Sequence, residues 1–235
     1  MKAMMSVEPG GPDSLKLIES PTPEPGPGQI RVAVKAAGVN FPDTLIIRDM
    51  YQFKPQRPFS PGGEISGTIA ALGEGVTGWQ VGDKVLSGIG SGGLREQVTI
   101  AAPRLFRVPE GVDLVQASAL LMTYGTTIHG LKDRGDIAEG QTVLVLGAAG
   151  GVGLSGVELA KAYGCRVVAA VSSEEKAAVA REAGADEVVI YGRAPFDKDQ
   201  SKALAQQFKD AVGPNGADIV YDIVGGDYSE PALRA

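Results

Sequence analysis

A chain of 235 residues can bury a full core, as one large domain or two small ones. With 43% hydrophobic and 21% charged residues it reads as a globular protein, not a disordered one. A net charge of −6 offers no basic field to nucleic acid or an anionic membrane, and no apolar run reaches bilayer-spanning length.

The opening residues Met1–Gly11 are broken too soon to read as a secretory signal, and Pro21–Gly28 reads as a stiff, exposed spacer. Of the 15 prolines, 12 fall at or before Pro109, between short strand-like runs set off by glycine. Gln29–Val39 alternates through Ile30, Val32 and Val34, and Glu64–Leu72, Asp83–Leu86 and Gly93–Ile100 are further runs of that kind. Many short strands with frequent turns predict a β-barrel or sandwich over residues 1–113. Within it, Asp43 is placed either to cap a helix over Thr44–Arg48 or to serve a site.

From Leu114 onward helix and strand alternate, which predicts an α/β domain over 114–235 built on a doubly wound parallel sheet. Strands are expected at Thr142–Leu146, Arg166–Val171, Glu187–Ile190 and Asp218–Asp222. Helices are expected at Val152–Tyr163, Glu174–Ala183 and Lys198–Val212. The single cysteine, Cys165, opens the second strand as a buried apolar residue, allows no internal disulfide and fits a reducing, cytoplasmic setting.

The segment Thr142–Ala160, TVLVLGAAGGVGLSGVELA, carries the chemistry. An apolar strand leads into Ala149, Gly150, Gly151, Val152 and Gly153, and a helix follows whose free N–H groups and dipole favour a phosphate. Gly150 and Gly151 let backbone approach a ligand, and Gly153 lets helix pack on strand. A strand, glycine turn, helix and second strand in that order predict a dinucleotide-binding turn of the Rossmann type. An NAD site commonly ends its second strand on a carboxylate. Here Ser172 and Ser173 follow Val171, with Lys176 beyond them and Tyr191 after the third strand. Two hydroxyls, an ammonium and a phenol favour the 2′-phosphate of NADP(H), although Glu174 and Glu175 oppose it and either serine can instead cap the next helix.

Several stretches, in order along the chain, carry a resemblance: GVNFPD (Gly38–Asp43), PGGEISGTIAALGEGV (Pro61–Val76), VGDKV (Val81–Val85), YGTT (Tyr124–Thr127), AAGGVG (Ala148–Gly153), EAGADEVVIY (Glu182–Tyr191) and DIVYDIVGG (Asp218–Gly226). Together they resemble the medium-chain dehydrogenase/reductase superfamily, in its quinone oxidoreductase branch related to zeta-crystallin. The resemblance implies a GroES-like barrel before the Rossmann domain, and residues Asn40, Asp43, Tyr51 and Thr126 near the nicotinamide. It also implies that Val224 and Gly226 touch the cofactor. Leu45 stands where the branch often has a tyrosine, which makes the acceptor side more apolar. Members usually continue further, so the chain is expected to be a fragment of a protein that dimerises at full length.

Zinc members of the superfamily use cysteine and a His-Glu pair. This chain has Asn40 and Gly63–Glu64 at those places, with His129 its only histidine, so no metal is expected. The expectation is a zinc-independent, NADPH-dependent reductase of a quinone or related electron-poor alkene, a small-molecule acceptor in either case. A 2-enoyl thioester or alkenal reductase, and a nucleotide-binding protein without catalysis, stand as alternatives.

Overall fold

In the computed structural model, which describes residues 1–235, two short strands open the chain, β1 (Lys2–Met5) and β2 (Lys16–Glu19). They pair antiparallel from Lys2 opposite Glu19 to Met5 opposite Lys16. Neither was expected, because β2 is exposed along its whole length and no buried face imprints a period on it.

The apolar alternation that follows folds as expected. β3 (Gln29–Gly38) pairs antiparallel with β4 (Glu64–Leu72), and with β5 (Lys84–Gly88), β6 (Gln97–Ala101) and β7 (Phe106–Arg107) it completes a five-stranded sheet of order β6-β3-β4-β5-β7. Register shifts at Arg31/Val32 and Val34/Ala36 interrupt the β3–β4 ladder, the kind of irregularity that bends a sheet. Its core is Ile30, Val32, Ile65, Ile69, Val85, Val98, Ile100 and Leu105. The run expected from Gly93 becomes strand only at Gln97. Gly93 and Leu94 instead donate backbone N–H bonds to Gly62 and Pro61, at 3.0 and 2.9 Å, and their amides are used there.

Helix α1 (Phe41–Ile46) begins earlier than the expected Thr44. Asn40 is its extended N-cap residue (φ −118°, ψ 162°) and Pro42 sits in the first turn, where no N–H partner is needed. α2 (Leu114–Ala117) starts on Asp113, whose carboxylate accepts from Val115 N at 2.7 Å and Gln116 N at 3.4 Å. Ser66 Oγ donates to the Leu114 carbonyl, so α2 is tied to the barrel strands. The chain divides into two compact units, Met1–Met122 and Thr123–Ala235, and the division falls inside α3 (Leu120–Ile128). A π-helical turn, His129–Arg134, follows α3.

The second unit holds β8 (Thr142–Leu146), α4 (Gly151–Ala162), β9 (Arg166–Val171), α5 (Glu174–Glu182), β10 (Glu187–Ile190), α6 (Lys198–Val212), β11 (Ile219–Asp222) and α7 (Ser229–Leu233). Its four strands run parallel in the order β10-β9-β8-β11. Alternate residues of the central strands serve two cores. Val143, Val145, Val167 and Ala169 meet Val157 and Ala177 on one face, and Leu144, Leu146, Val168 and Ala170 meet Leu204 and Phe208 on the other. Burial on both faces explains why these strands read as unbroken apolar runs. The strand order reverses between β8 and β11, which opens a crevice at their carboxyl ends.

Candidate active site

The turn after β8 is built from close approaches. Gly147 takes φ +67°, and Gly150 N donates to Gly147 O at 3.0 Å, closing the loop before α4. A Cβ on Gly153 would lie 2.2 Å from Gly147 O, so helix and strand pack at a distance only glycine permits. Gly150 is the N-cap residue of α4, with ordinary extended backbone (φ −84°, ψ 166°) and no capping side chain, which leaves the N–H groups of the first helical turn for a ligand.

A cavity of about 340 Å³ lies over this turn. Six residues expected at a nucleotide line it: Ala149, Gly150, Ser172, Lys176, Tyr191 and Val224. Gly147, Val171 and Ile223 line it as well and were not singled out. Gly147 stands one residue ahead of the AAGGVG motif, and a glycine directly after an apolar strand was the available signal. Gly151, Val152 and Gly153 form the first turn of α4. Gly226 opens a short 3-10 turn (Gly226–Tyr228) and lines a different hollow, beside Phe196 and Asp227.

The two serines divide their work. Ser173 Oγ caps α5, accepting from Lys176 N at 3.3 Å, while Ser172 Oγ accepts from Lys176 Nζ at 2.9 Å. No carboxylate lines the cavity. Glu174 and Glu175 are exposed in the first turn of α5, and Glu174 lies 3.9 Å from Arg181. Tyr191 is buried, and burial followed by the neighbouring Tyr228, ring centroids 4.8 Å apart, pushes its phenol upward. Burial also pulls the Asp222 carboxyl up, but bonds from Ser229 Oγ and from the Gly225 and Val224 amides outweigh it and hold it below its ordinary range. Asp222 thus fixes the loop that carries Ile223 and Val224, and the stability it lends is present at neutral pH and lost as pH falls through its lowered folded value.

In the first unit, Asp43 is 7% exposed and spends both oxygens on backbone amides, Oδ2 on Asn40 N at 2.9 Å and Oδ1 on Gly62 N at 3.1 Å. It therefore staples the Asn40 loop to the glycine turn before β4. Glu64, at 2% exposure, was not predicted as a site residue. Its Oε1 accepts from Asn40 Nδ2 at 2.8 Å and its Oε2 from Met122 N at 3.0 Å. Glu64 orients the Asn40 amide, and a carboxylate opening an otherwise apolar strand was the signal for it. Tyr51 is half-buried against Ile46, Ile47 and Phe59, with no hydrogen bond from its hydroxyl.

In the second unit Thr126 is exposed on α3, while Thr127 next to it is fully buried. Thr127 Oγ1 lies 2.7 Å from Ser155 Oγ and 3.0 Å from Tyr221 Oη, joining α3, α4 and β11 in one hydroxyl cluster. Tyr221→Phe removes one such bond and is expected to cost about 1 kcal/mol, lowering Tm by about 2–4 °C in thermal melts. Tyr124 donates to Glu158, and that bond raises its phenol to about 12. Cys165 is buried and donates to Ala138 O at 3.2 Å, and burial pushes its thiol up. His129 is exposed, 2.9 Å from Asp133 Oδ2. No group of three His, Cys, Asp or Glu side chains is arranged to hold a metal. No helix is long and apolar enough to cross a membrane.

Comparison with known proteins fits this geometry. Residues 26–110 match the family described as alcohol dehydrogenase GroES-like domain, and residues 151–235 match the zinc-binding dehydrogenase family. The chain is 37% identical over 211 residues to the quinone oxidoreductase-like protein 2 homolog of Nematostella vectensis, covering 89% of this chain and 55% of that protein. It is 35% identical over 219 residues to the human synaptic vesicle membrane protein VAT-1 homolog, covering 92% and 53%. Among solved structures, mycobacterial Rv1454c complexed with NADPH superposes with a TM-score of 0.88 at 36% identity, covering 99% of this chain and 70% of that one. The chain thus spans little more than half the length of those two curated relatives.

Proposed function

Because the chain belongs to the medium-chain dehydrogenase/reductase superfamily, we propose that it is an NADPH-dependent oxidoreductase that reduces a quinone or related electron-poor alkene without zinc. The observation that carries the cofactor choice is the Lys176–Ser172 pair, an ammonium and a hydroxyl 2.9 Å apart where an NAD site would present a carboxylate. The names and the NADPH complex of the similar proteins support the same reading.

The residues fit the dinucleotide. The backbone of Gly147–Gly150 and the start of α4 would hold the pyrophosphate, and Ser172 and Lys176 would hold the 2′-phosphate. The bound cofactor supplies the hydride, so the protein's task is binding, alignment and exclusion of water. On the acceptor side we assign Asn40 and Thr126 as hydrogen-bonding groups and Tyr51, whose hydroxyl is uncommitted, as the proton donor. Asp43 and Glu64 hold Asn40 in place.

Zinc does not fit this donor set. Asn40 presents an amide, Gly63 has no side chain, and both Glu64 oxygens already accept hydrogen bonds. Activity is expected to survive chelation, with metal analysis finding substoichiometric zinc.

Lys176→Ala tests the cofactor assignment. NADPH affinity should fall by about 1–2 kcal/mol, roughly fivefold to thirtyfold for an exposed charged bond, with NADH binding unchanged. Equal losses for both cofactors in a fluorescence titration would remove Lys176 from the phosphate site.

A further inference from the structure

The barrel unit has a cavity of its own, of about 380 Å³, lined by none of the residues of the glycine turn. Two arginines, Arg95 and Arg104, line it together with Ser91 and Thr99, and no Asp or Glu does. This local excess of cation stands out in a chain of net charge −6.

The backbone of Arg95 pairs with Ala3, but its side chain has no polar partner within the fold. Its guanidinium makes no ion pair and no hydrogen bond, and its Nε is buried without a partner. Arg104 differs, since its Nη2 donates to Gly88 O at 2.6 Å. Partly buried cations are normally paired, and a buried donor left unpaired costs free energy that some other contact must offset. Burial lowers the Arg95 pKa with no carboxylate opposing it. Gly92 keeps the space beside the fork open, a Cβ there lying 3.8 Å from Nη2. The Ser91 and Thr99 hydroxyls are likewise uncommitted, while Phe59 and Ile89 give the cavity an apolar wall.

We propose that this cavity is a binding site for a small organic anion, whose oxyanion head accepts hydrogen bonds from Arg95, Ser91 and Thr99 and whose apolar body rests on Phe59 and Ile89. Its volume falls in the range of small-molecule sites, about 300–1,000 Å³. A planar guanidinium fork matches a carboxylate or a phosphate bidentately, so either head group meets the same chemistry.

Isothermal titration of the 235-residue chain with phenyl phosphate and with benzoate, at matched ionic strength, tests this. Saturable binding of one molecule per chain is expected for at least one probe, and the stronger of the two identifies the head group. Arg95→Gln should raise Kd about tenfold or more, without lowering Tm, because the side chain bonds to nothing in the fold. The pair Ser91→Ala with Thr99→Val should give a smaller loss and covers the case of an unfolded Arg95 variant. Gly150→Val should leave this binding intact, which separates it from any anion held at the dinucleotide turn. Absence of saturable binding, equal affinity in wild type and Arg95→Gln, or loss of binding in a folded Gly150→Val chain would overturn the assignment.

Discussion

Gly150→Val should abolish measurable NADPH binding in a chain that folds normally. The backbone at Gly150 is ordinary extended structure (φ −84°), so a branched residue is tolerated there without strain. An added Cβ meets only Gly147 O, at 3.6 Å, which is an ordinary contact. The residue is exposed, lines the cavity and stands at the N-terminus of α4, so the valine methyl groups occupy the space where a pyrophosphate would approach the free N–H groups. A loss of at least about 3 kcal/mol, roughly a hundredfold, is expected in a fluorescence titration, with an unchanged far-ultraviolet spectrum and Tm. Gly151 is the less clean site, because its Cβ would lie 3.2 Å from Thr123 Cγ2 and adds a packing cost. Retained affinity in Gly150→Val would mean that the loop is only a packing turn.

Gly153→Ala, three residues along, should behave in the opposite way. Its Cβ would lie 2.2 Å from Gly147 O and 2.8 Å from Ala148 Cα, both backbone atoms that cannot swing aside. Relief requires moving α4 off β8, through a core in which Val157 and Ala160 are fully buried. Overpacking on this scale is expected to cost about 3 kcal/mol or more, a fall in Tm of about 6–12 °C. Binding should fail with the fold and not ahead of it. Two glycines of one motif are thereby separated, one kept open for a ligand and the other for packing. A Gly153→Ala chain melting at the wild-type temperature would show that α4 has more freedom than its packing implies.

The second unit was legible in the sequence because β8 and β9 are buried on both faces and α4, α5 and α6 each follow a glycine or a capping residue. α7 follows Tyr228, which offers no cap, and was not expected. Lys198–Val212 was predicted with its observed bounds, since Asp197 caps it and Gly213 ends it at φ +92°. The barrel was legible as a class but less so strand by strand. β1 and β2 carry no alternating buried face, and the residues before Gln97 are held by backbone bonds to the Pro61–Gly62 turn and to β1, partners distant in the chain. α1 was displaced because its N-cap, Asn40, lies before a proline that reads as a breaker when it stands alone.

The nucleotide residues were found because a glycine turn between strand and helix leaves a local signature. Glu64 and Arg95 were missed for one shared reason. A buried carboxylate is recognised by the donors that reach it, Asn40 and Met122 here, and an unpaired guanidinium by the partners it lacks. Both properties belong to three-dimensional neighbours. Gly226 shows the reverse case, a motif glycine that the fold carries to another hollow.

Zinc-free hydride transfer from NADPH is tested most directly by adding a quinone to chelator-dialysed protein and following the loss of NADPH absorbance. Acceptor-dependent oxidation is predicted, faster with NADPH than with NADH, proceeding at substoichiometric zinc and absent in Gly150→Val. A folded chain that binds NADPH yet oxidises none of it, or activity that disappears on chelation and returns with zinc, would contradict it.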